Sequence, residues 1–259
     1  MTAPGSRGRG AAATASAIRL EGVSKAFGAF RVLDDVTLHI PRGRATVVLG
    51  RSGTGKSVML RHIVGLLQPD AGRVFVGDDE ITGLPPAGLA AVRRRIGFLF
   101  QNAALFDSIT VAENVAFPLR RHTTLSDAEV RSRAREKLAA VGLARAADSM
   151  PGSLSGGMRK RAGLARAMAL DPEILLVDEP SAGLDPVTSG EIDDLLASTR
   201  EERGTTLIVV THNMPSARRL ADTMIFLHEG RVLARGSVDD LERSGHGLVR
   251  RFMGSEAGG

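Results

Sequence analysis

The stretch Gly50-Arg51-Ser52-Gly53-Thr54-Gly55-Lys56-Ser57 constrains this chain more than any other. It has the form G-x-x-x-x-G-K-[ST]. The apolar run Ala45-Thr46-Val47-Val48-Leu49 before it reads as a buried strand. The apolar-periodic run from Val58 to Leu67 after it reads as a helix. A glycine-rich turn that only happens to precede a Lys-Ser pair needs neither flank; a phosphate-binding loop needs both. The glycines let the backbone curl with its N–H groups pointing inward, and the helix that starts near Gly55 adds its positive end to the same spot. Lys56 supplies a mobile cation for outer phosphates, and the Ser57 hydroxyl is placed to ligate Mg²⁺. The unit predicts an α/β fold with chemistry at the carboxyl ends of its strands.

Other stretches point to the same sheet edge. Ile18–Val23 and Val32–Ile40 read as strands, with Lys25-Ala26-Phe27-Gly28 as a turn between them. Phe27 is either a core residue or an aromatic that stacks on an adenine ring. Ile96–Phe100 is a buried strand ending at Gln101, a residue type that can ligate Mg²⁺ and touch an attacking water. Ile174–Val177 is another, ending in Asp178 and Glu179; the first acid can reach hydrated Mg²⁺ and the second can orient a water. Thr206–Val210 ends at Thr211-His212. Leu154-Ser155-Gly156-Gly157-Met158 opens a helical run to Leu170, and glycines there leave N–H groups free for an anion. Ser126–Val141 is amphipathic, capped by Ser126 and Glu129. Leu105 and Phe106 look like exposed apolar residues in a loop, which marks either a satellite core or a partner site.

Composition narrows the class. With 259 residues and 43% hydrophobic content the chain can bury a substantial core, and no apolar run reaches membrane-spanning length, so a soluble chain is expected. The sequence pI near 10.5 suggests nucleic acid, but the net charge is only +5. Tyr and Cys are absent, so few groups titrate between neutrality and high pH, and the pI overstates the field. Zero Cys excludes disulfides, thiolate metal sites and cysteine nucleophiles, and suits a reducing cytoplasm. Residues 1–17, rich in Gly, Ala, Ser and Arg, are expected to be a disordered tail; Ala11–Ala17 is too short and too weakly apolar for a secretory signal.

Taken in order, the phosphate loop, Gln101, Leu154–Met158, Ile174–Glu179, the tight loop with Asp185 and then His212 resemble the ATP-binding subunit of ABC transporters. The resemblance covers about residues 18–245. It implies a P-loop NTPase fold of the ABC nucleotide-binding type: a mixed-sheet core, an antiparallel β subdomain and a helical subdomain over about 102–170, followed by a short tail at 246–259. It implies ATP and Mg²⁺ as ligands, with Ser57, Gln101 and Asp178 at the metal and Glu179, His212 and Gln101 in hydrolysis. It also implies a head-to-tail dimer, each ATP lying between Gly50–Ser57 of one copy and Ser155, Gly156 and Gly157 of the other, near Asp185. Phe27 falls where the family places its adenine-stacking aromatic. Met158 departs from the Gln of most members, but the backbone donors stay.

Gln101–Ser108, Glu113–Arg120, Leu154–Met158 and the ending Val249–Gly254 look like the Mla/MCE-type subgroup, which drives phospholipid transport across the bacterial envelope. That subgroup implies an integral membrane permease, docking near Leu105 and Phe106, and an MCE lipid-binding protein. It also allows a STAS-domain protein, and it places the chain on the cytoplasmic face of the inner membrane. The alternatives are the ATPase subunit of another ABC importer or exporter, a soluble ABC ATPase acting on DNA or ribosomes, and a nucleotide-gated scaffold. The segment between Gln101 and Leu154 is too short for the coiled-coil insert of the DNA-acting class, so no nucleic-acid partner is expected. Glu179 and His212 argue against a scaffold.

Overall fold

The computed structural model describes residues 16–255. It opens with a long antiparallel hairpin, β1 (Ser16–Phe27) and β2 (Phe30–Pro41), which turns at Gly28. Exposure alternates along the second half of β2, as a strand with one buried face requires. Next come β3 (Ala45–Leu49), α1 (Lys56–Ile63), β4 (Ala71–Val76) and β5 (Asp79–Glu80). α2 (Pro86–Arg93), with Pro in its first turn, leads to β6 (Ile96–Leu99). Three helices follow: α3 (Val111–His122), α4 (Asp127–Ala140) and α5 (Gly156–Ala167). The remainder alternates: β7 (Ile174–Asp178), α6 (Pro186–Arg203), β8 (Thr206–Val210), α7 (Met214–Leu220), β9 (Thr223–His228) and β10 (Arg231–Gly236). The short α8 (Val238–Glu242) and α9 (Gly247–Gly254) close the described chain.

Two sheets result. One is antiparallel, in the order β2-β1-β4-β5. The other is ordered β10-β9-β3-β8-β7-β6, parallel throughout except for β10. β3, β7 and β8 are buried along their whole length. Their side chains alternate between two cores. Val47, Leu49, Leu175, Val177, Leu207 and Val209 face the one built with α3–α9. Val48, Ile174, Leu176, Ile208 and Val210 face the one built with the antiparallel sheet, α1 and α2. Burial on both faces explains why these strands read as unbroken apolar runs.

The helical subdomain is held by two capping boxes, only that of Ser126 and Glu129 being expected from the sequence. Thr110 and Glu113 form a full capping box at α3, and Ser126 and Glu129 form another at α4. Val130, Ala134, Leu138 and Val141 are buried as one face.

Several expectations change. Ser16 and Ala17 belong to β1, and Ala17 is buried, so strand pairing reaches further upstream than 18; residues 1–15 of the expected tail lie outside the described residues. Lys25, Ala26 and Phe27 end β1 rather than forming a turn. α1 begins at Lys56 and stops at Ile63, short of Leu67, because Gly65 adopts φ +65°. Residues 246–254 are not a tail: α9 buries Val249 and Met253, and Phe252 meets Phe226 edge-on at 5.0 Å. Leu105 is half-buried against the helical core, not exposed; Phe106 remains 45% exposed.

Candidate functional site

A cavity of about 630 Å³ opens at the carboxyl ends of the parallel strands. The loop after β3 forms its floor. Gly50 and Gly55 are required there. A Cβ on Gly50 would lie 2.3 Å from the Leu227 carbonyl oxygen, and Gly55 sits at φ +100° with Val32 O where its Cβ would be. Gly55 caps α1 without a side-chain bond, so the first-turn N–H groups are left to face the cavity.

Lys56 is buried and turns its ammonium back into the loop, donating to Gly50 O at 2.7 Å and Arg51 O at 3.0 Å. Burial pulls its pKa down, opposed by the charges of Glu179 and Asp178. Thr54 does not line the cavity; its hydroxyl donates to Arg51 O and closes the loop. Arg51, Ser52 and Gly53 line it.

The Ser57 hydroxyl, one residue beyond Lys56, donates to Asp178 Oδ1 at 2.9 Å. Burial raises the Asp178 pKa, the Ser57 bond opposes it, and the neighbouring Glu179 charge adds to the rise. Glu179 lines the cavity at φ +48°, a left-handed conformation rare for a residue with a side chain. His212 Nδ1 lies 2.9 Å from Glu179 Oε2, and the His212 N–H points to the same oxygen. Gln101 stands at the rim from the end of β6. Phe27 forms the outer lip, half exposed, and its strand end is tied down by Asp70, which accepts from Lys25 Nζ and Ala26 N.

The structure therefore brings together Phe27, the loop, Asp178, Glu179, Gln101 and His212. It leaves Ser155, Gly156, Gly157 and Asp185 outside this cavity. Ser155 caps α5 through Met158 N, and the Asp185 carboxylate caps α6, accepting from the N–H and hydroxyl of Thr188. Gly156 instead lines a separate cavity with Gln101 and Lys160. Sequence reasoning missed Lys160, whose ammonium reaches the carbonyls of both Gln101 and Glu179. Its only sequence signal is its place one turn after Gly156 on the same helix face. Among the described residues there is no cluster of three or more His, Cys, Asp or Glu that could hold a metal ion.

The family model described as "ABC transporter" matches residues 33–182, from β2 to the loop after Glu179. The chain belongs to the ABC transporter family. The ABC cassette is also seen in the structural neighbours. A dimeric ATP-binding cassette, solved in a post-hydrolysis state with ADP and Pi, aligns with a TM-score of 0.80. It is 36% identical over 85% of this chain and 98% of that one. A probable ribonucleotide transport ATP-binding protein, mkl of Mycobacterium leprae, is 43% identical over 92% of this chain and 68% of its own length. This ABC chain thus spans about two thirds of that relative. The intermembrane phospholipid transport system ATP-binding protein MlaF of Escherichia coli is 39% identical over 95% of this chain and 91% of its own. No described helix is long and apolar enough to cross a membrane.

Proposed function

We propose that this ABC chain binds ATP with Mg²⁺ in the cavity and hydrolyses it as the ATPase subunit of a bacterial envelope lipid transporter. One observation carries the hydrolytic part: the Glu179 carboxylate, gripped by His212 at 2.9 Å, faces the cavity lined by Lys56 and Ser57.

The residues present fit the group. Lys56 carries a buried charge whose hydrogen-bond partners among the described residues are carbonyls, so incoming phosphate oxygens offer it a better partner than it has. Ser57 and Asp178, already 2.9 Å apart, would hold Mg²⁺ with Gln101 near by; the ion would neutralise phosphate charge. Phe27 offers an exposed ring face for the base. Glu179 would orient the attacking water, and His212 would keep that carboxylate turned inward and help sense the terminal phosphate.

Ser155, Gly156, Gly157 and Asp185, left outside this cavity, would close the ATP bound to a second copy in a head-to-tail dimer. The dimeric state of the solved cassette supports that reading. The phospholipid transport of MlaF supports a phospholipid substrate, whereas mkl is described as a ribonucleotide transport protein, so the lipid assignment rests on the subgroup motifs as well. In this reading the chain sits on the cytoplasmic face of the inner membrane under a permease, with an MCE lipid-binding protein and, in some complexes, a STAS-domain protein. The permease would dock in an apolar groove of about 380 Å³, lined by Phe98, Phe100, Phe106, Phe117, Pro118 and Leu170.

The test is Glu179→Gln in the assembled membrane complex. Turnover should fall at least about a hundredfold, roughly 2.7 kcal/mol of barrier, while ATP binding persists and the closed dimer accumulates on sizing. Near wild-type turnover would sink the assignment. Phospholipid in the assay should stimulate the wild-type complex where ribonucleotides do not.

A further inference from the structure

Of the 34 Lys and Arg, four are Lys, so nearly every exposed cation is an arginine. Three of the four lysines are buried: Lys56, Lys137 and Lys160 are 6%, 4% and 5% exposed. Lys56 belongs to the phosphate loop, and Lys137 pairs with Asp171. Lys160 has no carboxylate partner among the described residues. Its ammonium donates to two backbone carbonyls, Gln101 O and, at 2.9 Å, Glu179 O. Burial lowers its pKa, against the pull of Glu179 and Asp178. A buried ammonium held by neutral groups is a costly arrangement, and an apolar side chain would fill the space more cheaply.

What the arrangement fixes is the backbone of the two residues that close the cavity from β6 and β7. The Glu179 peptide is pinned on both sides: its N–H donates to Val210 O at 2.8 Å, and its C=O accepts from Lys160 at 2.9 Å and, at a longer 3.3 Å, from Ala182 N. Between those bonds the residue holds φ +48°. Without Lys160 the carbonyl keeps only the longer Ala182 bond, and the left-handed residue gains room to relax toward ordinary torsions and turn its carboxylate from His212. Lys160 also stands one turn beyond Gly156 on α5, and both line the second cavity with Gln101.

We propose that Lys160 is a positioning residue for hydrolysis: it clamps the Gln101 and Glu179 carbonyls from α5, and so ties the aim of the Glu179 carboxylate to the seat of the Ser155–Gly157 helix opening. The inference rests on the reading of Glu179 as the water-orienting group.

The experiment compares wild type, Glu179→Gln, Lys160→Met, Lys160→Arg and the Glu179→Gln/Lys160→Met pair, each as the full chain in its assembled membrane complex. Lys160→Met should lower kcat at least about tenfold with KM for ATP changed less than about threefold. Lys160→Arg, which keeps donors, should recover part of the loss. In the Glu179→Gln background Lys160→Met should have almost no further effect, because both act through one carboxylate. Lys160→Met with near wild-type kcat overturns the proposal. So does a kcat loss matched by equal losses of ATP affinity and melting temperature, an Arg variant no better than Met, or additive effects in the pair. If Glu179→Gln itself turns over normally, the reading of Glu179 fails first and is seen to fail separately.

Discussion

Asp178 and Glu179 are buried neighbours in sequence that meet different partners, Ser57 and His212. Asp178 is buried against Ser57, and desolvation raises its pKa. A raised carboxylate pKa means that the folded chain holds that proton more tightly than the unfolded one. Stability without nucleotide therefore falls as pH climbs from the ordinary carboxylate value through the folded one. Asp178→Asn keeps an oxygen for the Ser57 hydroxyl and removes the charge. It should raise the nucleotide-free melting temperature at pH 7 by about 2–4 °C, the shift that roughly 1 kcal/mol gives a chain of this size. The gain should shrink toward pH 4, while added Mg²⁺ and ATP should stabilise the variant less than wild type. Thermal melts across pH, with and without nucleotide, check both. The two acids were legible in the sequence because a buried strand ends at them. Lys160 was not, because its partners lie 59 and 19 positions away and are carbonyls, which every residue carries.

The loop between β6 and α3 shows what spacing alone does not resolve. Leu105 and Phe106 read as a matched apolar pair. Asn114, fully buried in α3, separates them in space by gripping Phe106 at both ends of its peptide: Phe106 N donates to Oδ1 at 2.7 Å, and Nδ2 donates to Phe106 O at 3.0 Å. Leu105 thereby packs inward, and the Phe106 ring lies outward, 5.0 Å from that of Phe117. The pair should split on mutation. Leu105→Ser should cost about 1–3 kcal/mol in the isolated chain, less than a fully buried leucine would. Phe106→Ser should leave the melting temperature within about 2 °C and abolish co-purification of the permease. Differential scanning fluorimetry with a detergent pulldown separates the two, and normal co-purification of Phe106→Ser counts against the docking groove. The strands fared better at sequence level, since two-sided burial leaves an unbroken apolar signature. Element ends fared worse: α1 stops at Ile63 rather than running to Leu67, turned off by Gly65, and α9 is too short for periodicity to announce.

At the scale of the molecule, α9 completes the core rather than trailing from it. Val249, Phe252 and Met253 pack beside β9, and Arg218 Nη2 donates to Met253 O at 2.7 Å. Ending the chain at 245 should therefore cost at least about 3 kcal/mol, since two buried side chains and an aromatic contact go with it. A urea midpoint unchanged by the truncation would contradict this. α5 has a different kind of reach. Its 12 residues make a rod about 18 Å long. Gly156 is at one end. Arg166, near the other, donates to Ala103 O and Ala104 O beside the Phe106 loop. Lys160 sits close to the middle. A rod pivoting there by about 10° moves each end by about 1.5 Å, in opposite senses, and half the length of a hydrogen bond is enough to make or break one. The helix is in that sense a see-saw, with the two carbonyls under Lys160 as its fulcrum. In the proposed assembly, a push from a permease at the Phe106 groove and a pull from a second copy's nucleotide at Gly156 would be one motion seen from two ends.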